Sequence, residues 1–420
     1  MSNVLAIKGG SKIITTGTSP YIWPKITDKT REAVLKQLSE SATSVYDRYH
    51  IIKILEDRLS KYYGTKHALV TSSGTSSLHS LYFACNLKPT DEVILPAYTF
   101  FATVTPILFT GATPIFADSS HNGNIDPKEI NEKITDKTKA IVITHMWGNP
   151  CDMNAIVKIA KDRNLMLFED GSHAFGARYN NKLVGTFGDA AVISMQAQKL
   201  LTGIEGGFML TNNDELFYRA ILFGQYNKKC KDELPQNYAL YKYYVTGAGL
   251  NLRINPLGAA MANEQLDEME ILLYNKRKIA KFMLSKFKTL KGISVPKVDE
   301  QASPSWYAFM LQYKPEELDY LDIHKFYEAL MAEGCVELDR PKSTCPMNYH
   351  PLFQSPEGLF PNYKGKFSYK LGDFPNAEYF HEHSLKLPVW YEIDDLQTAD
   401  LYFEAFKKVI DNHQELLAGA

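Results

Sequence analysis

The chain has no CxxC pair and only five cysteines in 420 residues: Cys85, Cys151, Cys230, Cys335 and Cys345. So sparse and odd a set excludes a disulfide framework and a zinc ribbon, and it points to a reducing compartment. An excess of one charge is missing too: 46 Lys and Arg against 48 Asp and Glu leave a formal net charge of -2. That removes the basic footprint of a dedicated nucleic-acid binder. Met1 to Gly10 carries one lysine and no long apolar run, so no secretory signal is expected and the reading is a cytoplasmic protein. Only Val93 to Ala117 runs for about 25 residues without a charge, a length able to span a bilayer. Pro96, Pro106, Gly111 and Pro114 break it up, which predicts a short strand, a piece with helical promise over Thr99 to Phe109, and another strand.

What is present is the composition of an ordinary folded protein, 45% hydrophobic and 22% charged. In the first two-thirds, short β-branched runs alternate with segments of helical period, the pattern of a layered α/β domain with a mostly parallel sheet. The expected strands are His67 to Thr71, Val93 to Leu95, Pro114 to Ala117, Ala140 to Thr144, Leu165 to Glu169, Ala191 to Ser194 and Gly207 to Thr211. Ser76 to Cys85 and Met153 to Arg163 read as helices. From about Glu264 the texture changes. A charged helical run (Gln265 to Leu290), a strand-like Trp306 to Tyr313 and a helix near Ile323 to Glu333 predict a smaller α+β domain. The expected division is residues 1–265 and 266–420. Pro341 to Pro375, rich in Pro, Gly, Tyr and Lys, reads as a long surface or active-site loop.

Three local signals carry chemistry. Ser72-Ser73-Gly74-Thr75-Ser76-Ser77 follows a strand and opens a helix, where glycine, hydroxyls and free N–H groups suit a phosphate. A plain helix cap explains it equally well when it is taken alone. Glu169-Asp170, followed by Gly171-Ser172-His173, ends an apolar strand at the carboxyl edge, where open α/β sheets bind ligands. Alternation lets only one of the two acids face such a site. Lys199 follows another strand end, flanked by small and apolar residues, where partial desolvation would lower its pKa and favour Schiff-base chemistry. Together, a phosphate loop, a strand-end acid and a strand-end lysine are what pyridoxal 5'-phosphate needs for its phosphate, pyridine nitrogen and aldehyde. Aromatic rings at Pro96-Ala97-Tyr98-Thr99-Phe100-Phe101 offer a stacking platform.

These residues resemble the sugar aminotransferase family called DegT/DnrJ/EryC1/StrS, a branch of the fold-type I pyridoxal-phosphate enzymes. The motifs are SSGTSSL (Ser72 to Leu78), PAYTFFAT (Pro96 to Thr103), THMWGNPCDM (Thr144 to Met153), EDGSHAFGA (Glu169 to Ala177), GDAAVISMQAQKLLTGIEGG (Gly188 to Gly207) and GLNLRINPLGAAMANEQL (Gly249 to Leu266). The resemblance implies a three-layer α/β/α large domain and a homodimer with shared sites. It implies that Lys199 forms the Schiff base and shuttles a proton, and that Asp170 pairs with the pyridine nitrogen. Gly74, Thr75 and Ser194 would hold the phosphate with Ser76 nearby, Phe100 would stack on the ring, and His173 would lie beside it. Asn251 would reach the phosphate in the neighbouring subunit. Ser44 to His50 and Pro341 to Pro375 depart from the family pattern, in regions that bear on substrate.

The implied reaction is a ping-pong transamination from glutamate or glutamine to a nucleotide-linked keto sugar, with Arg253 a candidate for the donor carboxylate. A keto-cyclitol acceptor is the alternative. A dehydratase of the same fold, in which histidine replaces the lysine, is disfavoured by Lys199. A non-catalytic sensor is disfavoured because every anchor is present.

Overall fold

The computed structural model describes residues 4–15, 21–40 and 43–417. Seven strands form the central sheet: β1 (His67–Thr71), β2 (Glu92–Pro96), β3 (Thr113–Ala117), β4 (Thr138–Thr144), β5 (Met166–Asp170), β6 (Ala190–Ser194) and β7 (Gly207–Thr211). Their spatial order is β1-β7-β6-β5-β4-β2-β3. Only β7 runs against its neighbours, β1 and β6; the pairs from β6 across to β3 are parallel. A parallel sheet is covered on both faces, so its strands are apolar on both sides. Accordingly Leu69, Val93, Leu95, Val142, Phe168 and Met209 enter one core. Their alternate neighbours Val70, Ala191, Ile193, Phe208 and Leu210 enter a second, and Ile94, Ile141, Ile143 and Leu167 a third.

Helices Gly74–Ala84 and Asp214–Gly224 cover the first face, with Ser73 and Asn213 accepting from their free N–H groups. His50–Tyr63 and Pro256–Gln265 cover part of the other, and Met153–Asp162, capped by Asp152, the rest. A further three-stranded sheet, Ile293–Ser294, Phe309–Tyr313 and Ser384–Leu387, packs with helices Met269–Phe287, Ile323–Ala332 and Leu396–Asp411 around a separate core. Leu5 and Ile14 are buried in that core. The fully buried carboxylate of Glu333 accepts from the N–H groups of Ala6 and Ile13 at 2.8 and 3.1 Å and pairs with Lys408 at 2.8 Å.

The chargeless run differs from its helical expectation over Thr99 to Phe109. Tyr98–Phe100 is a strand, Phe101–Thr103 a single 3-10 turn, and only Thr105–Leu108 is α-helical. The strand is held by a distant partner, Thr344–Pro346, in antiparallel register, and aromatic and β-branched residues favour that pairing over a helix. Among the described residues, no helix is long and apolar enough to cross a membrane. The segment expected as a loop from Pro341 onward supplies that partner strand. Further on, the Tyr363, Phe367 and Tyr369 side chains pack against the first core.

Candidate active site

The carboxyl ends of β4, β5 and β6 and the start of helix Gly74–Ala84 meet at a cavity of about 600 Å³, which Tyr307 and residues 339–344 also line. At one end the helix start is pressed against the sheet. A Cβ on Gly74 would sit 2.8 Å from that of Ser194, and one on Gly207 would sit 2.4 Å from the Gly74 nitrogen. Only glycine allows this approach, which carries the first-turn N–H groups into the cavity. Ser73 caps by accepting from the Ser76 N–H at 3.0 Å. Gly74, Thr75 and Ser194 line the cavity. The Ser76 hydroxyl bonds instead to the Ser72 and Ser73 hydroxyls, each at 2.9 Å, and supports the loop from behind.

The two acids at the end of β5 part as strand alternation requires. Glu169 is fully buried away from the cavity and accepts from Gly185, Phe187 and Gly188 N–H groups, with His145 Nε2 at 3.1 Å. Burial alone would raise its pKa; His145 and the N–H groups hold it below the ordinary value. Asp170 faces the cavity. Its Oδ1 accepts from Ser172 N–H at 3.0 Å and its Oδ2 from the Thr103 hydroxyl at 2.8 Å.

Lys199 sits in a tight turn, its N–H donating to Gln196 O at 2.8 Å, while the Trp23 indole donates to its carbonyl at 3.1 Å. Its ammonium lies 4.9 Å from the Tyr307 ring centre. Desolvation lowers its pKa to about 8, against the opposing pull of the Asp170 charge. His173 stacks on Tyr307 at 4.2 Å and on Trp147 at 5.3 Å. Burial, with the charges of Lys199 and Lys386 behind it, pushes its pKa well below the ordinary value, so the ring is neutral. Among the described residues, its buried Nδ1 has no hydrogen-bond partner. Phe100 lines the cavity mouth, half exposed.

Besides Ser76, two expected residues lie outside this cavity. Asn251 is exposed, and Arg253 stacks on Tyr226 at 5.0 Å. Four others were not singled out from the sequence. Trp147 and Tyr307 build the ring stack, and Arg340 and Lys386 form a cationic wall, with Lys386 paired to Asp339 at 3.1 Å. Trp147 stood inside a quoted motif, but Tyr307 and Lys386 are brought in by chain far from any of them.

A glycine cradle with N–H groups, an opposed carboxylate, a desolvated lysine and an orphaned imidazole nitrogen fit pyridoxal phosphate, whose phosphate the cradle would hold and whose pyridine nitrogen Asp170 would serve. A model of the DegT/DnrJ/EryC1/StrS aminotransferase family matches residues 25–402. GDP-perosamine synthase of Escherichia coli O157:H7 is 36% identical over 263 residues, 62% of this chain and 69% of that protein. A putative L-glutamine:3-amino-2,3-dideoxy-scyllo-inosose aminotransferase of Micromonospora echinospora is 29% identical over 375 residues, 88% of this chain and 87% of that one. The solved structure of E. coli GDP-4-keto-6-deoxy-D-mannose-3-dehydratase with bound hydrated PLP has a TM-score of 0.77 at 25% identity, covering 95% of this chain and 100% of that one. The chain belongs to the DegT/DnrJ/EryC1/StrS aminotransferase family and is a pyridoxal-phosphate-dependent aminotransferase of fold type I.

Proposed function

We propose that the protein moves an amino group from glutamate or glutamine to the ketone of a nucleotide-linked keto sugar, in amino-sugar biosynthesis. The observation that carries the reading is Lys199, desolvated to a pKa of about 8 in the same cavity as the glycine cradle and Asp170. Bound pyridoxal phosphate supplies an electron sink that stabilises negative charge on the substrate carbon. Lys199 would hold the cofactor's aldehyde carbon, and its amine would carry the proton at the substrate carbon. A pKa near the working pH suits both tasks. Asp170 keeps the proton on the pyridine nitrogen. Gly74, Thr75 and Ser194 hold the phosphate, Phe100 and the neutral His173 position the ring, and Ser76 braces the cradle. The family resemblance supports a homodimer in which Asn251, outside its own chain's cavity, reaches the partner's, and Arg253 is the candidate for the donor carboxylate.

The wall of Arg340, Lys342 and Lys386 favours an acceptor that carries a diphosphate. The similarity to a perosamine synthase agrees. An uncharged cyclitol is the second reading, favoured by the similarity to an inosose aminotransferase. The test is the visible absorption of the purified protein with glutamate or glutamine added, for wild type and Lys199→Ala. A yellow band that one donor bleaches, and that the variant lacks, is the expected result. A colourless wild type that takes up no pyridoxal phosphate overturns the reading. Protection from heat by a nucleoside diphosphate separates the two acceptors.

A further inference from the structure

Four buried side chains from three separate stretches of chain form one hydrogen-bonded string under the cavity. Thr144 ends β4, Thr99 lies in the strand Tyr98–Phe100, Thr103 ends the following turn, and Asp170 ends β5. All are at most 4% exposed. Thr144 Oγ1 and Thr99 Oγ1 are 3.0 Å apart, Thr99 Oγ1 and Thr103 Oγ1 3.1 Å, and Thr103 Oγ1 donates to Asp170 Oδ2 at 2.8 Å.

Geometry alone leaves the first two bonds undirected, but the carboxylate directs them. An ionised carboxylate only accepts, and each hydroxyl has a single proton to give. Thr103 spends its proton on Asp170, so Thr99 must donate to Thr103, and Thr144 must then donate to Thr99. Three hydroxyl dipoles therefore point the same way, each polarising the next, with their positive ends toward Asp170. Ser172 N–H holds the other carboxylate oxygen. With both oxygens tethered, the group has one position and a stabilised negative charge.

We propose that Thr103, Thr99 and Thr144 are positioning residues that fix the Asp170 carboxylate and its charge against the pyridine nitrogen of the cofactor. The proposal rests on the reading of Asp170 given above. It makes the contribution of each threonine depend on its order in the string. Thr103 acts directly, Thr99 only through Thr103, and Thr144 only through Thr99.

The test compares Thr103→Val, Thr103→Ser, Thr99→Val and the Thr99→Val/Thr103→Val double variant in the holoenzyme. Cofactor retention is measured by equilibrium dialysis, the pH dependence of the visible band by titration, and kcat and KM with glutamate. Valine keeps the shape and removes the donor. Thr103→Val is expected to lose the cofactor about tenfold more readily, the factor carried by one hydrogen bond to a charged group. Its kcat falls, KM is unchanged and the band's titration shifts. Serine restores all three, Thr99→Val loses less, and the double variant is no worse than Thr103→Val. Losses that multiply in the double variant mark simple packing and overturn the string. So does a Thr103→Val protein that matches wild type in retention, titration and kcat while the reading of Asp170 stands. A wild type that never takes up the cofactor overturns that reading, and the string with it.

Discussion

Burial lowers the pKa of both Lys199 and Lys276, and their surroundings give them different fates. Lys199 opens onto the cavity and faces Asp170. Lys276 is fully buried, donates to the Val389 carbonyl, lies 5.9 Å from the Tyr21 ring and sees the charge of Asp395 at a distance. Burial drives its pKa down to about 7. An unfolded lysine titrates near 10.4. Below about pH 7 both states are protonated, and the folded state carries the whole cost of a buried ammonium. Between about pH 7 and pH 10 the unfolded state binds the extra proton, so stability rises with pH through that window. Lys276→Met removes this dependence. In urea titrations from pH 6.5 to 9.5, wild type is expected to gain stability relative to the variant as pH rises. A constant difference across that range counts against a depressed lysine. The same bond to Val389 ties the helix Met269–Phe287 to the chain leaving the strand Ser384–Leu387.

At the scale of elements, β3 is an edge strand, and an exposed row of N–H and C=O groups invites pairing with another chain. The segment after Pro346 covers it with side chains instead of a strand. The Tyr363 hydroxyl donates to Ala112 O at 2.8 Å. That of Tyr369 donates to Pro114 O at 3.1 Å and accepts from Phe116 N–H at 3.2 Å. Tyr369→Phe leaves two backbone groups on the edge unpaired and is expected to lower stability by about 1–3 kcal/mol. The visible cofactor band should be unaltered, since neither residue lines the cavity. A urea midpoint equal to wild type would show that water serves the edge equally well. This covering also marks where the sequence stopped being legible. Lys199, Asp170 and Gly74 announce themselves because a strand end or helix start is a local event, written in adjacent residues. The strand Tyr98–Phe100 was hidden because its partner lies at 344–346. Lys386 reads as any surface lysine until its register opposite Met310 puts it beside the cavity. Trp147 and Trp306 hold left-handed backbone with φ of 57°, where the two loops touch. A Cβ on Gly148 would meet Ser305 Oγ at 2.7 Å, and nothing near either loop in the sequence foretells it.

At the scale of the whole molecule, the chain's own cavity omits Asn251, which the family resemblance implies in the partner's site, and Arg253, the candidate for the donor carboxylate. Asn251 is exposed and Arg253 partly buried; Leu250 beside them is 40% exposed, and Tyr243 and Val245 just before are 49% and 55% exposed. In an isologous dimer each subunit would lend this stretch to the other's cavity, so every complete site would draw Lys199 from one chain and Asn251 from its partner. That arrangement makes two inactive proteins able to repair one another. Lys199→Ala lacks the nucleophile in both of its sites, and Asn251→Ala weakens the phosphate contact in both of its own. A mixed dimer contains one site with neither change, because the lysine comes from the Asn251→Ala chain and the asparagine from the Lys199→Ala chain. Equal amounts unfolded together and refolded with cofactor should recover about a quarter of wild-type activity per subunit, since half the dimers are mixed and each has one intact site. Mixing without subunit exchange should recover none. Activity that stays at the average of the two variants after exchange would mean that Asn251 serves its own chain, or that the sites are not shared.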